Sequence, residues 1–110
     1  MSRHRFKTTL QGRPISVDMG WDRPLQGFFM LVQREDASIE EESFLYDNLS
    51  QEVSHFATID PYLDVLTSLN ITIPNEMVEE IWRDGEENVG NKCVEHRKYE
   101  NGSYMRIPVF

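Results

Sequence analysis

IDPYLDVLTSLNITIPNEMVEEIWRDG, residues 59–85, is where the chain stops alternating. On either side of it apolar residues recur every second position. Within it they recur every third or fourth, the spacing that lines one face of a helix. Asp60 is suited to cap a helix and Pro61 to its first turn, where a missing N–H costs nothing. Tyr62, Leu63, Val65, Leu66 and Leu69 then mark one face as far as Asn70. Ile71-Thr72-Ile73 is a connector, and Pro74-Asn75 opens a second helix with an apolar stripe of Met77, Val78, Ile81 and Trp82. Glu76, Glu79 and Glu80 load its N-terminal half, where the helix macrodipole favours anions. Gly85 is expected to end it.

Outward from this stretch the period is two. His4, Phe6, Thr8 and Leu10 alternate with Arg3, Arg5, Lys7 and Thr9, and Ile15, Val17 and Met19 repeat the pattern after a turn at residues 11–14. GFFMLVQR, residues 27–34, is apolar on both faces through Val32 and reads as a central strand. FLYDNL, residues 44–49, follows the acidic segment 35–43 as a fourth strand. KCVEHRKY and YMRIPVF flank Asn101-Gly102, a strong signal for a two-residue hairpin. That register sets Tyr99 opposite Tyr104 and His96 opposite Ile107. It assigns Val94, His96, Met105, Ile107 and Val109 to a core face, and Arg97, Tyr99, Tyr104 and Arg106 to the open one. The expected architecture is α+β, order β-β-β-β-α-α-β-β: one antiparallel sheet with two helices on one face, in a single domain spanning residues 1–110.

Charge is more sharply organised than the net value of −8 suggests. Between Glu35 and Glu87 fifteen Asp and Glu face one base, Arg83, whereas both flanking segments are basic. A field of that kind repels nucleic acid and draws basic surfaces. The single cysteine, Cys93, cannot form an internal disulfide, which fits a reducing compartment. No apolar run reaches the ~18 residues of a membrane span, and a soluble cytoplasmic protein is expected.

Motifs that carry chemistry are missing. There is no nucleophile elbow, phosphate loop, dinucleotide fingerprint or zinc-protease helix. Cys93 and His96 have ligand-like spacing, but strand residues three apart point to opposite faces, so neither a metal nor a cofactor is expected. His55 and Asp60 are a conceivable acid–base pair, against the commoner surface histidine. The loop GWDRPLQ, residues 20–26, has two readings. Trp21 packs over a core edge while Asp22 and Arg23 tie off backbone groups, or Trp21 and Arg23 anchor a partner. The open sheet face, with Arg3, Arg5, Lys7, Arg97, Tyr99, Tyr104 and Arg106, resembles a stacking platform for single-stranded nucleic acid.

GWDRPLQGFF, DPYLDVL, IPNEMVEEI and NVGN together resemble a family of small uncharacterised bacterial proteins carried on plasmids, integrated elements and phage. The resemblance implies no activity and transfers no catalytic residue. The compact acidic character is also similar to anti-CRISPR and other anti-defence proteins. The expected function is a binding protein that occupies a partner protein's basic, nucleic-acid-binding surface, as an inhibitor or accessory factor. Glu40, Glu41, Glu42, Glu76, Glu79 and Glu80 would steer that partner, and Trp21, Asp22 and Arg23 would hold it. The alternatives are single-stranded nucleic-acid binding by the sheet face and a small enzyme.

Overall fold

A computed structural model describes residues 1–37, 43–51 and 55–109. Glu40, Glu41 and Glu42 lie outside the described residues. The elements are β1 (Ser2–Leu10), β2 (Arg13–Asp22), β3 (Gly27–Arg34), β4 (Phe44–Asp47), a 3₁₀ turn (Asn48–Ser50), α1 (Asp60–Ser68), α2 (Asn75–Glu86), β5 (Lys92–Lys98) and β6 (Tyr104–Pro108). The fold is α+β, with the expected chain order and one six-stranded sheet in the order β4-β3-β2-β1-β5-β6.

The sheet is mixed, which corrects the expectation of a wholly antiparallel one. β1 and β5 run parallel, with His4 beside Val94 and Phe6 beside His96. A meander brings β4 back to the end of the sheet where β1 starts, and two helices can carry the chain out and return it there. β5 therefore sets off in the direction of β1. Nor is β3 central. It lies second from the edge, and Phe28 and Phe29 are both buried because the Phe28 ring packs against Trp21 and Gly85 of α2, while Phe29 lies with Asn48, Leu49 and His55 on the other face and Phe56 bridges to Phe28 along the strand.

The last hairpin corrects the expected register by one residue. Its loop is three residues long: Gly102 donates to the Tyr99 carbonyl at 2.9 Å, and Tyr99 to that of Ser103 at 2.9 Å. Only Gly102 has positive φ, at 85°, while the Asn101 side chain accepts from the Ser103 amide at 3.0 Å. A two-residue turn of type I′ needs positive φ at both centres, which Gln11 and Gly12 supply in the first hairpin at 54° and 80°. One residue of slip exchanges the faces of a strand. Lys98 pairs with Tyr104 and His96 with Arg106, so Met105 and Val109 are exposed and Tyr104 and Arg106 join the His96 face.

Both helices end on asparagine. Asn70 and Asn88 have φ of 60° and 52°, and the next amides, Ile71 and Val89, bond back to Leu66 and Asp84 at 2.9 Å each. Gly85 therefore does not stop α2. It lies inside the helix, where a Cβ would meet the Phe28 ring at 2.5 Å, so its task is close packing. Asp60 is likewise not the cap of α1: Ile59 holds that position and Asp60 begins the first turn. Tyr62, Leu66, Met77 and Ile81 join one core with Phe6, Ile15, Val17, Met19 and Trp21, and the Tyr62 hydroxyl donates to the Phe28 carbonyl at 2.8 Å. Among the described residues no helix is long and apolar enough to cross a membrane.

Candidate functional site

Three polar residues occupy core positions: His4 on β1, His96 on β5 and Asp84 on the buried stripe of α2, each no more than 2% exposed. Parallel pairing of β1 with β5 brings the two imidazoles together, and α2 lays Asp84 over them. Asp84 Oδ2 meets His4 Nε2 at 2.6 Å, and His4 Nδ1 meets His96 Nε2 at 2.8 Å. His96 Nδ1 then meets the Tyr104 hydroxyl on β6. The rings stack, with His4 and His96 centroids 5.0 Å apart. A chain of four side chains thus runs from the interior to the partly exposed Tyr104.

The proton positions follow from the acceptor end. Burial pushes the Asp84 carboxyl up, but hydrogen bonds from His4, Lys92 and Ser2 outweigh it and hold the pKa below the usual range. An ionised carboxylate only accepts, so His4 Nε2 donates to it. Burial, with His4 beside it, brings His96 down to about 4, so His96 is neutral near pH 7 and has one N–H. That N–H lies either on Nε2, facing His4 Nδ1, or on Nδ1, facing the Tyr104 hydroxyl. Among the described residues no buried side-chain nitrogen or oxygen lacks a hydrogen-bond partner.

An ion-pair ladder runs alongside. Lys92 bridges Asp84 at 2.8 Å and Glu80 at 2.6 Å, and Arg106 closes on Glu80 with bonds of 2.6 and 2.8 Å. Burial raises Glu80, but Arg106 and Lys92 bring it down to about 2. His4, Glu80 and His96 offer ligand atoms within 4.8 Å of one another, a spacing that invites a metal reading. The residues fit that poorly. The facing ring nitrogens are at hydrogen-bond distance, and a dication would join two cations already bound to Glu80.

The sequence-predicted residues are dispersed. Trp21 is 7% exposed, its indole N–H donating to Asn88 Oδ1 at 3.0 Å and its ring edge-on to Phe28. Asp22 is buried, accepting from the Leu25 amide and standing 3.3 Å from His55, not Asp60, as that histidine's acid partner. Arg23 is exposed. GWDRPLQ thus has the geometry of a core-capping turn. The platform is divided: Tyr104 and Arg106 face α2, whereas Arg3, Arg5, Lys7 and Arg97 lie on the other face. There Arg5 is held by Asp18 at 2.9 Å, Lys7 lies 3.8 Å from Glu35, and Arg97 bonds Glu95. Glu76 and Glu79 remain exposed, but Glu80 is taken up in the ladder.

Sequence reasoning missed the four-residue chain. Its trace was polar residues at apolar positions: His4 and His96 in alternating strands, and Asp84 two turns beyond Met77 and one beyond Ile81.

Trp82 is the other outlying feature. It is 52% exposed on α2, beside a groove of about 560 Å³ lined by Ile59, Leu63 and Val78 and rimmed by Asp60, Glu79 and Arg83. No family model, curated protein or solved structure matches this chain.

Proposed function

We propose that this protein is a small acidic binding protein, cytoplasmic, that occupies a basic surface of a partner protein, one suited to nucleic acid. Both helices form the docking layer. The observation that carries this reading is Trp82, a large apolar side chain half exposed beside an apolar groove within the most acidic part of the chain. Tryptophan is among the residue types enriched at binding hot spots, and the carboxylates around it supply approach and orientation. Trp82 takes the anchoring role that the sequence suggested for Trp21. An inhibitory or accessory role, of the kind found among mobile-element and anti-defence proteins, is part of this proposal. Capture from a lysate of the native host, with wild-type protein and Trp82→Ala compared, tests this. A basic protein retained by the wild type is expected to elute at least about tenfold more readily from the variant, equivalent to ~1.4 kcal/mol. Equal retention by both, with the variant folded, refutes the α2 face as the binding surface.

A further inference from the structure

The Asp84–His4–His96–Tyr104 chain takes no part in the Trp82 groove, and it ends at a different cavity. A pocket of about 500 Å³ is walled by α2 and the last two strands, with Tyr104, Lys92, Arg106, Glu76, Glu79 and Glu87 among its lining residues. We propose that Tyr104 is a nucleophile toward small uncharged or cationic acyl esters, activated by proton transfer along this chain.

A phenol attacks poorly until a base takes its proton. His96 Nδ1 stands against the Tyr104 hydroxyl for that purpose, but a buried imidazole depressed by burial and by His4 is a poor resting place for the proton. The second ring removes the difficulty. From the tautomer with its N–H on Nε2, the His96 Nε2 proton crosses 2.8 Å to His4 Nδ1 as the phenolic proton reaches His96 Nδ1. The positive charge then rests on His4, 2.6 Å from the Asp84 carboxylate. This is the hydroxyl–imidazole–carboxylate arrangement of hydrolases with one more ring inserted. Tyr104 itself is held in its phenol form, since burial, Glu80 and Glu76 all push its pKa up. Its proton therefore leaves only as the attack proceeds.

In the step, the phenolic oxygen bonds to the ester carbonyl carbon and the bond from that carbon to the alcohol oxygen breaks. The proton returns along the chain to the alcohol oxygen, which departs as the neutral alcohol, the acyl group stays on Tyr104, and both imidazoles recover their starting state. Arg106 lines the same pocket, and its Nη1 is not engaged by Glu80, so it has donors left for a developing oxyanion. Glu76, Glu79 and Glu87 form no ion pair among the described residues. Counting every lining residue, five carboxylates outnumber the three bases Arg83, Lys92 and Arg106, so the walls oppose a phosphate ester, and the substrate class is acyl.

Tyr99 provides an internal control. It is 44% exposed, more than Tyr104, and its hydroxyl has no histidine beside it: it meets the Met105 sulfur at 3.9 Å and the Arg97 side chain. Trypsin releases both tyrosines on one peptide, residues 99–106, so fragment ions compare them directly. The wild-type protein is treated with N-acetylimidazole near neutral pH and sampled over time. Tyr104 is expected to be O-acetylated at least about tenfold faster than Tyr99. A Tyr99 rate equal to or above that of Tyr104 overturns the proposal, because accessibility alone would then rank the two. Asp84→Asn keeps an acceptor at the end of the chain but withdraws its charge. The ratio is expected to collapse toward unity in that variant. An unchanged ratio shows that the chain only ties the strands together, and overturns the relay.

Discussion

His96 shows how one buried residue becomes a condition on the whole fold. Unfolded, an imidazole takes up a proton near its ordinary value of 6.5; here burial and His4 bring it down to about 4. Between those values the unfolded chain binds the proton and the folded one does not, so protonation favours unfolding. Stability is therefore complete above about pH 6.5 and falls as the pH drops toward 4, by on the order of 3 kcal/mol. Glu80, held down to about 2, acts in the same direction in a lower window: its contribution is present above its ordinary value of 4.5 and is lost below it. Urea unfolding at a series of pH values checks this. The expected midpoint falls between pH 6.5 and 4 in the wild type. A midpoint flat across that interval means that the chain is not rigidly buried. His96 was legible as a core position from its place in an alternating strand. Its partner was not, because His4 lies at the other end of the chain and only the parallel pairing brings them together.

At the scale of elements, period and turn residues located all eight strands and helices in their order, because each leaves a local trace. What failed was non-local or rested on one torsion angle. The direction of β5 depends on where two helices return the chain, and the register of β6 on whether Asn101 adopts positive φ. Instead Asn101 spends its side chain on the Ser103 amide, and the extra loop residue carries Tyr104 and Arg106 to the α2 side. That slip assembles both the end of the histidine chain and the Glu80 ion pair, and it separates the expected nucleic-acid platform. Gly102 is the point on which it turns. A Cβ there meets nothing within 4 Å, so any cost of substitution is backbone strain alone. At φ of 85° a β-branched residue is an outlier, and Gly102→Val is expected to lose about 1–3 kcal/mol. Thermal melts measure the loss; a variant as stable as the wild type would mean that the three-residue loop is wrong.

Over the whole molecule, charge is separated by layer. The two helices carry seven acidic residues against one base, Arg83, and Arg5, Lys7 and Arg97 sit on the far face of the sheet, paired with Asp18, Glu35 and Glu95. The helical face therefore dominates the field that an approaching molecule meets, while the basic face offers little attraction to phosphate. Around Trp82 the acids are not equivalent. Glu80 is bound by Lys92 and Arg106 and contributes mostly to stability, whereas Glu79 and Glu86 are exposed on the same helix and free to act at a distance. If the α2 face docks a basic partner, the double variant Glu79→Gln/Glu86→Gln separates steering from anchoring. Association with the captured partner is expected to slow by several-fold at ~0.15 M salt and to depend less on salt, because the long-range attraction is what was removed. Dissociation is expected to change little, since Trp82 and its groove are intact, whereas Trp82→Ala acts the other way, on dissociation. Surface-resonance kinetics at two ionic strengths read all four quantities. An association rate that neither the double variant nor added salt alters would leave the acidic layer as a solvated surface with no part in recognition.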